Sequence, residues 1–481
     1  MSTSAGGERT YNDAVHALNN LQTNFAAIDA IRKAGIKAND LAIPQMVEWI
    51  RRAGYQPSDF DKLNIIHVTG TKGKGSTCAF VQSILKQYQP DIVGDIGLYT
   101  SPHLKSVRER IRINGEPISK EKFAKYFFEV FDALDNSKSD TEKFPDMTEG
   151  VKPNYFRYLT LLSFHVFLKE GIRTAIYEVG IGGEYDSTNV IQAPTATGVS
   201  SLGIDHTLIL GNTIEEIAWN KGGIFKKTAK ALTITQPESA LQVLREKAEA
   251  KNTQLEVLER HPQLAQITLG LPAKFQELNA TLAISLAQEH LNKLGAEIPT
   301  INPLPEKFVK GLETATWPGR CQTLPDGNVS WYLDGAHTQE SIKEAGIWFS
   351  GKVSSTAKHK VLLFNQQTRD ASALVTTLSN ALGNVEFDHV IFCTNVTWSS
   401  GTYSAELTSL NTSKDDVDHL VVQKSLSEAW AKIDPRSERH VFSNIQDSVE
   451  FIRKLDGDSQ VLVTGSLHLV GGFLAVYEGE D

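Results

Sequence analysis

The stretch Val68-Thr69-Gly70-Thr71-Lys72-Gly73-Lys74-Gly75-Ser76-Thr77 combines glycines, lysines and hydroxyls at a spacing suited to holding phosphate. An apolar run, Ile65-Ile66-His67-Val68, precedes it, and a helical pattern from Cys78 to Tyr88 follows. Strand, glycine-rich turn and helix N-terminus together aim backbone N–H groups at an anion. Gly70, Gly73 and Gly75 let the backbone approach it without a Cβ clash. Lys74 is placed to reach β/γ-phosphates, and Ser76 or Thr77 to put a hydroxyl on Mg²⁺. Gly75 separates Lys74 from Ser76, so the spacing departs from the usual P-loop. The bland alternative is a glycine-rich βα turn with no ligand.

Other chemistry-bearing residues fall at the ends of apolar runs. Glu178 closes one and precedes Gly180-Ile181-Gly182-Gly183. Open α/β sheets bind ligands beyond that edge, where a carboxylate suits a hard, oxygen-seeking ion such as Mg²⁺. Ser101 follows Gly97-Leu98-Tyr99-Thr100, His206 follows Asp205, and Asp334 ends the run Val329–Leu333. Taken alone, Glu178 also fits an ordinary strand-end charge, Ser101 a turn serine before Pro102, and His206 a loop histidine. Lys221 fits a surface lysine on a helix, and Arg320 with Asp334 a salt bridge or cap. Lys105, Arg108, Arg110 and Arg112 read either as a solvated face or as a grip on carboxylates.

Taken in order, the motifs carry a resemblance. Gly70-Thr71 to Thr77 resembles the ATP loop of the Mur ligase superfamily, which couples ATP cleavage to amide bond formation. Leu98-Tyr99-Thr100-Ser101-Pro102-His103-Leu104, Glu178 to Gly183, Asp186-Ser187-Thr188-Asn189, Asp205-His206, Trp317-Pro318-Gly319-Arg320 and Asp334-Gly335-Ala336-His337 follow in the order of the folylpolyglutamate synthases. Leu462 to Gly472 is similar to the C-terminal motif of the eukaryotic members. The resemblance implies ATP-dependent addition of L-glutamate to the γ-carboxylate of tetrahydrofolate and its polyglutamates, through an acyl phosphate, with release of ADP and phosphate. Two rivals stand beside it: dihydrofolate synthase action on dihydropteroate, and a regulatory protein that binds ATP without joining substrates.

The resemblance also implies residue roles. Gly73, Lys74, Gly75 and Ser76 would hold ATP. Ser101, Glu178 and His206 would ligate Mg²⁺. Asn279 would bind the nucleotide, Arg320 an ATP phosphate, Asp334 the sugar side, and His337 a further part of the nucleotide. Lys221 would be carbamylated to N6-carboxylysine. Asn220 stands where Glu is common in the family and Gly222 where Ala is common. With Lys74, the residues Lys221, Glu178 and His206 form the expected catalytic set. A monovalent cation is a further candidate cofactor.

Composition bounds these readings. At 481 residues, 41% hydrophobic and 22% charged, the chain fits a globular protein of two domains. A net charge of −9 argues against nonspecific nucleic-acid binding, so a polyanionic substrate would need local positive charge. Cys78, Cys321 and Cys393 form no metal or redox spacing. No apolar run reaches the length of a membrane span, and the first residues carry no apolar signal core. A cytoplasmic monomer is expected, with a mitochondrial form from another start left open.

The elements that must position these residues are α/β. Residues 11–53 read as helical. Strands are expected at 64–69, 93–99, 174–179, 196–202 and 231–235, with helices at 77–88, 120–134 and 155–169 between them. That alternation predicts a mostly parallel sheet with helices on both faces. The polar insert 135–153 reads as a mobile surface loop. A long helix, 275–294, leads to a proline-rich connection and a short helix at 307–314. A smaller, Rossmann-like α/β series follows, with strands at 329–333, 360–364, 389–394 and 460–464 and helices at 339–349 and 371–382. The division is placed at 316/317, between an ATP-binding domain, 1–316, and a C-terminal ligase domain, 317–481. ATP is expected to lie between them, with closure excluding water.

Overall fold

The computed structural model describes residues 9–22, 41–354, 356–367, 370–401 and 419–479. The chain divides into two compact units. The first comprises Met1–Pro102, Arg108–Gly270 and Lys274–Thr316; the second comprises His103–Val107, Leu271–Ala273 and Trp317–Asp481. The stretch expected as one helical region shows two helices, Tyr11–Asn19 and Ala42–Arg52. Residues 23–40 lie outside the described residues.

The first unit is built on eight strands: β1 (Ile65–Thr69), β2 (Ile96–Tyr99), β3 (Ile111–Ile113), β4 (Glu116–Pro117), β5 (Thr174–Glu178), β6 (Ala196–Val199), β7 (Lys230–Ile234) and β8 (Leu255–Leu258). Their spatial order is β4-β3-β2-β5-β1-β6-β7-β8. The six strands from β2 to β8 in that order are parallel, while β3 and β4 add antiparallel pairs at one edge. Every residue of β1 and of β5 is buried, as strands covered on both faces require. The two faces are visible on β5 itself, because successive side chains point opposite ways. Tyr177 packs on Phe164 and Phe167 of the helix Tyr155–Lys169, at 4.7 and 5.8 Å between ring centroids. Thr174, on the other face, shares a hydrogen bond of 3.1 Å with His290 of the helix Gln276–Lys293. His290 also meets the Thr195 hydroxyl at 2.8 Å, and burial pushes its pKa down to about 3. A neutral imidazole thus pins this helix to the sheet.

The strand order reverses around β1. The chain passes from β1 to β2 on one side and later fills in β6 on the other, so the loops leaving β1 and β5 open a crevice at a topological switch point. The insert beyond Asp135 carries no helix or strand, but it is not loosely attached. Met147 is buried, Lys152 pairs with Asp135, and Arg51 donates to the Lys138 carbonyl at 2.7 Å. The mobile loop expected from composition is therefore anchored at several points.

The second unit contains β9 (Gln322–Asp326), β10 (Val329–Leu333), β11 (His359–Phe364), β12 (His389–Cys393), β13 (Glu438–Phe442) and β14 (Ser459–Thr464), in the order β13-β12-β11-β14-β10-β9. Only β9 runs antiparallel to its neighbour. The core joins Trp331 of β10 to Phe473 of the helix Leu467–Glu478, their rings 4.7 Å apart. Ser466 caps that helix by accepting from the Leu469 amide at 3.1 Å. The residues 103–107 belong to this unit because Leu104 lies against the same helix: a Cβ at Gly471 would sit 2.0 Å from the Leu104 carbonyl oxygen. The glycine in the C-terminal motif therefore permits a backbone contact that no other residue allows.

Gly471→Ala is expected to destabilise the protein by about 1–3 kcal/mol, the usual range for overpacking. Urea unfolding followed by tryptophan fluorescence checks this; an unchanged midpoint would show that the helix shifts freely away from Leu104.

Candidate active site

The loop after β1 is fixed from both sides. The Thr71 and Lys72 amides donate to the Ser201 carbonyl at 2.9 and 3.0 Å. Ser200 donates its hydroxyl to the Lys72 carbonyl at 2.6 Å. Gly73 then caps the helix Lys74–Lys86 in the left-handed region, φ +85°. A Cβ there would lie 2.0 Å from the Asn279 side-chain oxygen. Asn279 is held in turn: its amide donates to Gln276 at 2.8 Å, and Gln276 donates to the Ser76 hydroxyl at 3.2 Å. The structure thus brings Gly73, Lys74, Gly75, Ser76 and Asn279 together. Gln276 was missed in the sequence, although its place three residues before Asn279 on one helix was a usable signal.

Two lysines converge on one backbone atom. The Lys74 ammonium donates to the Gly70 carbonyl at 3.1 Å, and Lys221 Nζ donates to the same oxygen at 2.8 Å. Lys221 ends the helix Ile214–Lys221, which Thr213 opens with a capping box to Glu216. Far from being a surface residue, Lys221 is buried. Burial pushes its pKa well below the lysine range and the Lys74 charge adds to this, while Asp205 and Asp186 oppose it. The approach depends on Gly183, whose Cβ would lie 2.8 Å from the carbonyl oxygens of both Asn220 and Lys221.

Glu178 ends β5 beside β1, its backbone in register with Val68. Its carboxylate accepts from the Ser101 amide at 3.0 Å, so the two residues expected as metal ligands are neighbours. Cys78 lies close enough that the Glu178 charge, after burial, raises its thiol pKa further. Thr77 is fully buried, and its hydroxyl has no hydrogen-bond partner among the described residues. An oxygen-rich donor set next to a phosphate-type loop fits Mg²⁺. His206 stands differently. Its backbone is left-handed, φ +52°, and the residue is exposed. It is joined to the loop through its neighbour Asp205, which pairs with Lys72 at 3.1 Å.

Beneath these residues lies a polar layer that supplies their rigidity. Asp186 accepts from the Ile181 amide at 3.1 Å and from the Thr188 amide and hydroxyl at 2.9 and 2.6 Å. Burial nevertheless raises its pKa. Thr188 meets the wholly buried His67 at 2.8 Å, and the Thr69 hydroxyl donates to the Gly182 carbonyl at 2.5 Å. The motif Asp186 to Asn189 is thereby tied to β1. The basic run is largely engaged elsewhere. Arg112 donates to the Glu109 and Gly115 carbonyls, Arg108 donates to that of Ile118, and Lys105 pairs with Glu478.

In the second unit, Asp334 follows the C-terminal end of β10 and accepts from the Cys321 amide at 3.0 Å. Burial raises its pKa, and the Arg320 guanidinium opposes that rise. Arg320 donates to the Gly319 carbonyl at 3.2 Å, and a Cβ at Gly335 would lie 2.5 Å from its Nη1. His337 Nδ1 meets the Gly335 carbonyl at 2.9 Å. Arg320, Asp334 and His337 therefore gather at one strand end.

Known proteins resemble this chain. A family model described as "Dihydrofolate synthetase, C-terminal domain" matches residues 319–476. A folylpolyglutamate synthase of Saccharomyces cerevisiae is 54% identical over 482 residues, covering 98% of this chain and 88% of the relative. The chain belongs to the folylpolyglutamate synthase family. Solved folylpolyglutamate synthases share its fold: that of Mycobacterium tuberculosis complexed with ADP has a TM-score of 0.72 at 19% identity, over 98% of this chain and 99% of that one. E. coli FolC in complex with DHPP and ADP has a TM-score of 0.69 at 20% identity, over 100% and 99%.

The depressed pKa of Lys221 generates a pH test. An unfolded lysine titrates near 10.4, so between the lower folded value and about 10.4 the unfolded chain binds one more proton. Wild-type stability should therefore rise with pH across that window, relative to Lys221→Met, and level off above it. Urea unfolding of both proteins in CO₂-free buffers measures the gap; a gap independent of pH would mean that the amine titrates normally.

Proposed function

We propose that this chain is an ATP-dependent ligase that adds L-glutamate to the γ-carboxylate of tetrahydrofolate and its polyglutamates. The observation that carries the reading is the loop after β1, where Lys74 and Lys221 meet at the Gly70 carbonyl beside Glu178 and Ser101, in a chain of this family. A carboxylate is a poor electrophile. Transfer of the ATP γ-phosphoryl group to it gives an acyl phosphate, which the glutamate amine attacks with loss of phosphate. Loop amides and Lys74 would offset charge during phosphoryl transfer. Asn279 holds the turn, and Arg320, Asp334 and His337 are the nucleotide contacts we assign to the C-terminal unit.

Ser101 and Glu178, with His206, are the residues we assign to Mg²⁺, which when bound would neutralise phosphate charge. We assign carbamylation to Lys221. Forming a carbamate needs a neutral amine, and burial beside Lys74 favours the neutral form. Among the described residues no helix is long and apolar enough to cross a membrane. The three cysteines are free and buried, which agrees with the reducing cytoplasm we assign.

The same chemistry on dihydropteroate is the second reading, favoured by the description of the model matching residues 319–476. ADP release by the purified protein is expected to require both L-glutamate and tetrahydrofolate, with little on dihydropteroate. Release independent of glutamate would instead indicate an ATP-binding protein that joins nothing. Lys74→Ala is expected to lose about 3 kcal/mol of transition-state stabilisation, a fall in kcat/KM of the order of 100-fold, with its melting temperature kept. Lys221→Arg keeps the charge and cannot form the carbamate, so glutamate addition should be lost while ATP binding, read by calorimetry, is largely retained. An active Arg variant would remove the carbamate from the mechanism.

A further inference from the structure

Among the described residues, one group of metal-ligating side chains lies outside this site: His389, Glu438 and His440. Strand pairing builds it. His389 is the first residue of β12 and stands in register with Glu438, the first residue of β13; His440 follows two residues later, so all three side chains share one face of the sheet. His389 Nδ1 lies 3.2 Å from His440 Nε2 and 3.3 Å from a Glu438 oxygen. His440 Nε2 lies 3.7 Å from the other Glu438 oxygen. Four ligands arranged tetrahedrally at zinc bond lengths stand about 3.3–3.4 Å apart. The His389–His440 and His389–Glu438 separations lie close to that edge length.

The surroundings suit an ion. Phe451, on the helix Ile445–Arg453, packs against both imidazoles, 4.4 Å from the His440 ring and 6.0 Å from that of His389. An apolar wall of this kind excludes water from one side of the ligands. The Glu438 side chain is 66% exposed, against 12% for His389, so the opposite side opens to solvent and leaves room for a water as fourth ligand. The place also matters. The group lies at the N-terminal ends of parallel strands, whereas Asp334 follows the C-terminal end of β10 in the same sheet.

We propose that His389, Glu438 and His440 bind a first-row divalent transition ion of the Zn²⁺ class. The ion would cross-link β13, which among the described residues is an edge strand with a single neighbour, to β12. Two imidazoles and one carboxylate are a borderline donor set that discriminates against Mg²⁺ and Ca²⁺, which take oxygen ligands. Holding the folded edge but not the unfolded chain, the ion would raise the melting temperature as its concentration rises.

The full-length protein is titrated with ZnCl₂ by calorimetry, with excess Mg²⁺ present to saturate the oxygen-rich site near Glu178. One Zn²⁺ per chain is expected, with affinity at least tenfold weaker in His389→Gln and in His440→Gln. The Zn²⁺-dependent rise in melting temperature should be lost in the same variants. His359→Gln, which alters a neighbouring ring on β11, should bind as wild type. Wild-type affinity in His389→Gln and His440→Gln would overturn the proposal and leave the two rings as a hydrogen-bonded pair. Should a variant fail to fold, wild-type protein loaded with Co²⁺ decides: tetrahedral d–d absorption supports the site, and its absence refutes it.

Discussion

The turn between β1 and the helix Lys74–Lys86 allows no side chain at two of its glycines, and the first unit is arranged around that fact. A Cβ at Gly70 would lie 1.9 Å from the Ser200 hydroxyl, and one at Gly73 would lie 2.0 Å from Asn279. Both neighbours come from elements distant in sequence, the loop after β6 and the helix Gln276–Lys293. The closeness fixes the direction of the loop amides, the start of the helix and the reach of Lys74. It also brings the Gly70 carbonyl within hydrogen-bond distance of Lys221. A glycine-rich turn of this kind is held by close packing on both flanks as much as by its own conformation.

Burial also governs the charge state at that point. Lys221 sits against another lysine in a dry place, with Asp205 and Asp186 as partial counterweights, so the neutral amine is favoured. Asp186 is itself restrained by amides and a hydroxyl, and His67 beneath it has its pKa pushed down to about 3 by burial. The layer under the loop is thus polar and hydrogen-bonded, with His67 held neutral. A buried polar network whose members are hydrogen-bonded stiffens what rests on it.

How legible this was differs between elements. The strands β1, β5, β7, β10, β11, β12 and β14 fell within a residue of expectation, because each centres on a short apolar stretch that is buried. The missed strands, β3, β4, β8, β9 and β13, lie at or near sheet edges. There at most one residue of each strand is buried and the apolar signal is broken; Glu438–Phe442 and Gln322–Asp326 have none. The basic run at 105–112 was ambiguous for a related reason. Composition shows charge, but only packing shows that Arg108 and Arg112 donate to backbone carbonyls.

By itself the sequence determined the α/β class, the loop at Gly70–Thr77, the order of the motifs and hence the family. Each of these is a local pattern of residue types, and local patterns survive in one dimension. What only the tertiary structure decided is which distant groups share an atom or a face. Lys221 reaches Gly70 across 151 positions of sequence, and Ser101 meets Glu178 across 77. His389 meets His440 across 51, through the register of two neighbouring strands. A lysine's burial, and with it its charge state, is a property of what surrounds it in space, and no spacing along the chain carries that information.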